Sequence, residues 1–252
     1  MAKQSGLGSA LWWGSVDLSG DVGAVNSIET ARAVLSTTAI DKSAQERILG
    51  RRDGSLGFTS FWHTAAAQAH LTLSALPRTD VQASVAVGTP AVGTAAASLI
   101  AKQGNYAPSL GADGALAAAI AASSNGYPLE WGELLTTGKQ TFASGSVNGT
   151  SIDLQNLYAG LTSTAFGAAA YLHVFSLGSG SPTLTIADSA NDSTFAALSP
   201  TSLAFSPVAA GVERQQTGLT ATIRRYVRLQ VTGTYTDLVC ALVFVRYTES
   251  AA

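Results

Sequence analysis

A single cysteine in 252 residues excludes an intrachain disulfide framework and gives no support to a thiolate metal site. That residue, Cys240, sits in the run Leu238-Val239-Cys240-Ala241-Leu242-Val243-Phe244-Val245, where a cysteine behaves as a small buried hydrophobe. Charge is scarce too: 12% of residues are charged, and the formal net charge is −2. A chain whose main task is gripping phosphates needs a basic surplus, and this one has none. No apolar run reaches the roughly 18 residues of a membrane helix. The opening MAKQSGLGSALWW lacks the apolar core of a signal peptide. These absences lead us to expect a soluble protein made in a cytoplasm, with no membrane insertion.

Recognisable chemistry is equally thin. No G-x-S-x-G, H-E-x-x-H, P-loop or dinucleotide fingerprint occurs. His63, His70 and His173 have no neighbours of metal-ligand type and read as structural hydrogen-bonding groups. Glu130 and Glu133 flank Trp131, a combination that can cut glycosides, but a turn with solvated acids explains it more simply. The expectation is a non-enzyme with no catalytic residue, cofactor or metal. Asn148-Gly149-Thr150 and Asn191-Asp192-Ser193 fit the glycosylation pattern, which carries no meaning without a secretory signal.

The few charges are not spread evenly. Asp41, Lys42, Glu46, Arg47, Arg51, Arg52 and Asp53 crowd into thirteen residues around the apolar Ile48-Leu49-Gly50. Asp53-Gly54 is a turn signal, and Leu56, Phe58 and Trp62 follow at even spacing. The segment therefore reads as a charged loop running into a strand. Mixed charge of both signs suits a self-complementary contact between identical subunits, because it fixes register and rejects wrong partners. A solvated surface loop is the alternative.

Along the rest of the chain, hydrophobic residues make up 46%, much of it alanine. Leu11-Trp12-Trp13 reads as a strand whose tryptophans point to opposite faces, one to the core and one to another covering surface. Glu29 to Leu35 carries a weak helical signal. Thr64 to Pro77 is the strongest helix, with Thr64 as N-cap, alanines within and Pro77 as stop. Val81–Val87 and residues 95–103 read as strands. Residues 115–122 have helical propensity, but the Asp113-Gly114 entry and uniformly small residues favour a closely packed strand. From Thr136 to Thr150 the chain is rich in turn residues. Beyond it, strand-like runs at 166–177, 182–187, 203–208, 224–231 and 238–247 indicate a β-sandwich. Arg224-Arg225-Tyr226-Val227-Arg228 and Val245-Arg246-Tyr247 join aromatic and basic groups. Tyr226, Arg228 and Tyr247 are therefore possible glycan contacts, against the simpler reading of strands with one core and one solvated face.

Taken together, residues 10–135 resemble the major tail tube proteins of tailed phages of the siphophage type. The match is carried by Val16-Asp17-Leu18-Ser19-Gly20-Asp21-Val22, by Asp41 to Arg47, by Gly50 to Leu56, by HLTLSAL from His70 to Leu76, and by Asn125-Gly126 with Leu129-Glu130-Trp131-Gly132. The resemblance implies a mainly β fold: a tail-tube-like β-sandwich or barrel with a flanking helix over residues 1–140. Residues 141–252 resemble a second, outer β-sandwich of jelly-roll or immunoglobulin-like type, on SPTLTIADSANDSTF from Ser181 to Phe195 and on Arg224 to Arg228. Its implied function is a structural virion subunit, assembled in the host cytoplasm as stacked, hexameric homo-oligomeric rings. Other virion tail proteins would be its partners, and DNA would pass non-specifically through the lumen. The seven charges from Asp41 to Asp53 would then lie at subunit contacts. A capsid decoration protein, a tail terminator, or a glycan-binding C-terminal half are the alternatives.

Overall fold

The computed structural model describes residues 5–158, 160–199 and 201–249. It is mainly β, with 53% strand and 4% helix in antiparallel sheets of β-sandwich type. The chain forms two compact units: residues 5–19, 84–98 and 131–249 make one, and Gly20–Ala83 with Leu99–Glu130 makes the other. Among the described residues, no helix is long and apolar enough to cross a membrane.

The first unit holds the C-terminal strands. Ala168–Ser176 pairs with Leu238–Arg246 on one side and Gly211–Gln216 on the other. Gln140–Phe142 pairs with the start of Leu238–Arg246, so residues of the turn-rich stretch belong to this same unit. A second sheet is built on Tyr226–Thr236 and Ser179–Ser189, which pair along eleven positions. Even-numbered residues of the first sheet, such as Ala170, Leu172, Leu242 and Phe244, face Leu184, Ile186, Val227 and Leu229 of the second in a shared core. Cys240 lies in that core, and burial pushes its thiol up to about 12. It is an inert core residue, as its apolar neighbours suggest.

The opposite face of Ala168–Ser176 is covered as well, which is why this strand reads as a nearly continuous apolar run. There His173 packs with Trp12 and Phe175 at ring-centroid separations of 5.8 and 6.4 Å. Trp12 and Trp13 lie in the strand Ala10–Trp13, and both are buried. The Nδ1–H of His173 donates to the Gly14 carbonyl at 2.8 Å, and its Nε2 then accepts from Ser84 Oγ at 2.9 Å. Ser84 in turn accepts from Ser98 Oγ at 2.7 Å. Burial holds the imidazole neutral, with its pKa down at about 4.

The second unit is organised on a long hairpin. Val22–Ser36 and Arg47–Phe61 are fifteen-residue antiparallel partners. The segment 29–35, with its weak helical signal, is therefore strand. Leu116–Ser124 pairs with Ser55–Phe61, so the alanine-rich stretch is a strand as its small residues suggest. Leu56, Phe58 and Ser60 turn inward opposite Ala122, Ile120 and Ala118. Ala118 and Ala122 on either side of Ile120 leave room for Leu56 and the Phe58 ring, and this interleaving fills the layer.

The helix expected over Thr64–Pro77 shrinks to Ala69–Leu73, and its N-cap is Gln68, not Thr64. Positive φ at Ala67 (56°) and Leu76 (42°) interrupts the helical path on either side. Asp21 supplies what a capping side chain would: one oxygen accepts from Ala69 N at 2.8 Å and the other from His63 Nδ1 at 2.7 Å. At the far end, Gln103 Nε2 donates to the Leu73 carbonyl at 2.7 Å. Tertiary hydrogen bonds, not alanine propensity, set the limits of this helix.

Candidate functional site

The hairpin outruns its sheet. Leu116–Ser124 covers only residues 55–61 of the second strand, so residues 31–36 and 47–53 form a two-stranded ribbon with no third strand among the described residues. Asp53-Gly54, a turn signal by sequence, lies in the middle of that strand. The glycine answers a packing need: a Cβ there would fall 2.4 Å from Leu129 Cβ. Residues 47–53 are thus strand and not loop, and the loop itself is shorter, at 37–46.

Near its tip the ribbon is apolar on both faces. Val34 is the direct partner of Leu49, and Leu35 of Ile48. Neighbouring pairs in a ladder point to opposite sides, so each face carries one aliphatic pair. These four residues are 59%, 63%, 49% and 54% exposed, respectively, and Ile40 in the loop is fully exposed. A two-stranded hairpin is marginal in water. One that exposes aliphatic side chains on both sides has more to gain from being covered.

The charged residues singled out by sequence fall into distinct groups. Lys42 and Glu46 pair with each other at 3.5 Å within the loop. Thr38 Oγ1 accepts from Glu46 N at 2.8 Å, closing the loop's neck. Arg47 donates to Gln45 Oε1. Asp53 accepts from Ser124 Oγ at 2.8 Å and from Gly54 N, which lower its pKa. It is committed inside the subunit. Arg52 lies directly opposite Arg32, a like-charge pairing that works against the isolated ribbon. Asp41 and Arg51 are exposed and have no ion-pair partner among the described residues. Of the seven residues, these two are the ones left for an external partner.

The outer face of the neighbouring sheet has a different character. Ser55, Gly57 and Thr59 lie opposite Ser123, Ala121 and Ala119, and Ala107 and Ser109 continue the row. Every one of these side chains is small and uncharged, and none is fully buried. Period-two alternation puts them on one surface.

Tyr226, Arg228 and Tyr247 do not form one surface. Tyr226 and Arg228 share a face of Tyr226–Thr236. Arg225 lies over the Tyr226 ring at 4.9 Å, and Arg228 over Phe195 at 4.0 Å. Tyr247 is buried, and its hydroxyl accepts from Arg214 at 3.1 Å. Glu130 and Glu133 are not solvated turn acids: both are buried in the strand Glu130–Leu134, three residues apart and hence on opposite faces. Burial pushes Glu133 up to about 7, opposed by the Tyr158 hydroxyl that donates to it at 2.7 Å and by Arg246. His70 stacks on Trp62 at 3.9 Å and hydrogen-bonds Tyr106, a structural role of the kind the sequence suggests.

The exposed tip was hidden in the sequence. Val34 and Leu35 read there as part of a weak helical segment and Ile48-Leu49 as the apolar middle of a charged loop. It is their pairing in a ribbon with no third strand among the described residues that turns them into a surface.

No family model matches the sequence, and neither does any curated protein. Among solved structures, one similar chain belongs to the virion of a native gene transfer agent particle. It is 12% identical, with 50% of this chain and 98% of that chain covered and a TM-score of 0.41. Another is the SPP1 Dit protein, described as a hub adsorption apparatus in Gram-positive infecting phages. It is 10% identical over 95% of this chain and 99% of its own, with a TM-score of 0.35.

Proposed function

We propose that this chain is a structural virion subunit, the major tail tube protein of a tailed phage, which assembles with copies of itself into stacked rings. The observation that carries this reading is the ribbon, exposed and aliphatic on both faces. A monomer that stayed a monomer would be poorly served by it, whereas a subunit inserted between neighbours buries both sides at once. Asp41 and Arg51 add polar selectivity at the rim of that contact, with Lys42, Glu46, Arg47 and Arg52 beside them.

The row of small uncharged side chains supports the second half of the reading. A lumen lined by Ser55, Gly57, Thr59, Ala119, Ala121 and Ser123 would offer DNA little bulk to obstruct it. The charges at the ends of that row, Glu29 beside Ser55 and Lys102 beside Ser123, are of opposite sign, with Lys102 paired to Asp80. Counterion release, the main source of non-specific affinity, would have little to act on. Function on this reading is mechanical: no side chain needs to perform chemistry.

Negative-stain electron microscopy of the purified full chain tests the proposal. Tubes, or rings that stack, are expected. Isolated rings that never stack would favour a terminator or decoration protein, and a strictly monomeric particle at all concentrations would end the self-assembly reading.

A further inference from the structure

Self-assembly through the ribbon requires a surface that receives it. The other compact unit offers a groove of about 180 Å³ with an aliphatic floor and mouth and a polar share of backbone and carboxylate, lined by Leu172, Val174, Pro207, Val208, Val212 and Glu213 among others. Val208 is 79% exposed at its mouth, and Val212 is exposed as well. We propose that this groove receives the ribbon tip of a second copy, with Ile40, Leu49 or Val34 entering it. The inference rests on the self-assembly reading and names the partner surface for it.

Three observations favour a second copy as the occupant. Ile40, Val34 and Leu49 of the ribbon and Val208 and Val212 at the groove are apolar and exposed in the single chain, so each group lacks the cover that the other would supply. Their charges are complementary: Glu213 is the one charged residue lining the groove, while Arg47 and Arg51 flank the aliphatic pairs of the ribbon. The groove also borders Gly211–Gln216, whose one strand partner among the described residues is Ala168–Ser176. Near the end of that strand, the Gln215 amide engages Ala204, donating to its carbonyl at 2.7 Å and accepting from its N–H at 3.0 Å. A side-chain amide placed this way blocks indefinite edge pairing there, and the groove lies by the Gly211 end. A contact between two different patches is heterologous, the kind that closes rings or extends filaments.

The test uses the full chain with Ile40→Cys and Val208→Cys together, and in parallel Leu49→Cys with Val208→Cys. Cys240 is buried and needs no replacement. Particles are assembled, oxidised mildly and run on a denaturing gel. At least one double variant should give a ladder of covalent multimers that neither single variant gives. Val208→Arg, at an exposed position that leaves the fold alone, should lower the assembled fraction at least tenfold in sedimentation. Particles that form normally with Val208→Arg and give no ladder would overturn the groove assignment and leave self-assembly standing. A wild-type chain that never assembles would overturn both.

Discussion

Gly54 and Leu129 meet so closely that a single methyl group cannot be added between them: a Cβ on Gly54 would lie 2.4 Å from Leu129 Cβ and 2.7 Å from its backbone nitrogen. This contact fixes the root of the ribbon, the point where the hairpin leaves its sheet. Gly54→Ala is expected to destabilise the protein by ~1–3 kcal/mol, because overpacking forces backbone as well as side chains to move. Gly20→Ala, where the added methyl meets open space, is the control. Denaturant midpoints for the two variants provide the measurement, and equal midpoints would mean the root tolerates repacking.

That contact also explains what the sequence conceals. Asp-Gly occurs twice, at Asp53-Gly54 and Asp113-Gly114, and local chemistry treats the two alike. Only the second is a turn, with Gly114 at φ 86°. The first is a strand glycine selected by a side chain 75 positions away, which no local rule can see. Strands with alternating burial, such as Leu116–Ser124 and Tyr226–Thr236, are legible because one face is core. Gly211–Gln216 is missed, since an edge strand with Glu213, Arg214, Gln215 and Gln216 has no apolar alternation to show. The helix is overestimated because its limits are set by Asp21 and Gln103, far from it in sequence.

His173 and Glu133 make opposite demands on pH. The folded pKa of His173 lies near 4, below its ordinary 6.5, so the unfolded chain takes up the proton first. Its contribution is present above pH 6.5 and is lost as pH falls toward 4, by up to roughly 3 kcal/mol. The folded pKa of Glu133, near 7, lies above its ordinary 4.5. Its contribution is full below pH 4.5 and is lost as pH rises toward 7, by a similar amount. Between pH 4.5 and 6.5 the two slopes oppose each other, and wild-type stability should be nearly flat. Glu133→Gln removes one slope, so its stability relative to wild type should improve as pH rises from 4.5 to 7. Unfolding midpoints across that window test the sign, and a difference that does not vary with pH would show that Glu133 does not titrate there.

A chain cut after Phe142 should not fold as a unit. Phe142 and Leu135 pack in the core with Leu238 and Leu242, and Gln140–Phe142 pairs with the strand that the cut removes. Exposing these residues forfeits ~2–3 kcal/mol for each large side chain. The expected result is an insoluble fragment. A soluble fragment with a cooperative thermal transition would show that residues 1–142 carry an adequate core of their own.

Tyr226 and Tyr247 separate a glycan role from a structural one. Tyr247→Ala empties a buried site and strands its Arg214 hydrogen bond, so a loss of ~3–5 kcal/mol in stability is expected. Tyr226→Ala removes a half-exposed ring and its contact with Arg225, at a cost of ~0.5–1 kcal/mol. Adsorption of assembled particles to cells should be unchanged by Tyr226→Ala. A clear drop in adsorption with stability preserved would favour a sugar-binding face on Tyr226–Thr236.

Charge reversal on the ribbon needs care over which arginine is chosen. Arg52 faces Arg32 across the ladder, so Arg52→Glu converts a like-charge pair into an opposite-charge one. Arg52 also engages its own subunit, so the substitution changes contacts within the monomer as well as any made with a neighbour. Its effect on tubes would therefore mix two causes. Arg51 is exposed, has no ion-pair partner among the described residues, and lies in the bulge between Arg52 and Leu49. Arg51→Glu should leave circular dichroism and thermal midpoint unchanged, because an exposed charge contributes little to folding. Sedimentation should nonetheless show a loss of assembled particles, since in the proposed assembly a guanidinium available to a neighbour's carboxylate is replaced by a group that would repel it. The defect should be strongest at low ionic strength and partly relieved by added salt, which screens repulsion between exposed charges. If Arg51→Glu assembles like wild type at every salt concentration, the ribbon's hold on its neighbour is apolar alone, and the arginine is there only for solubility.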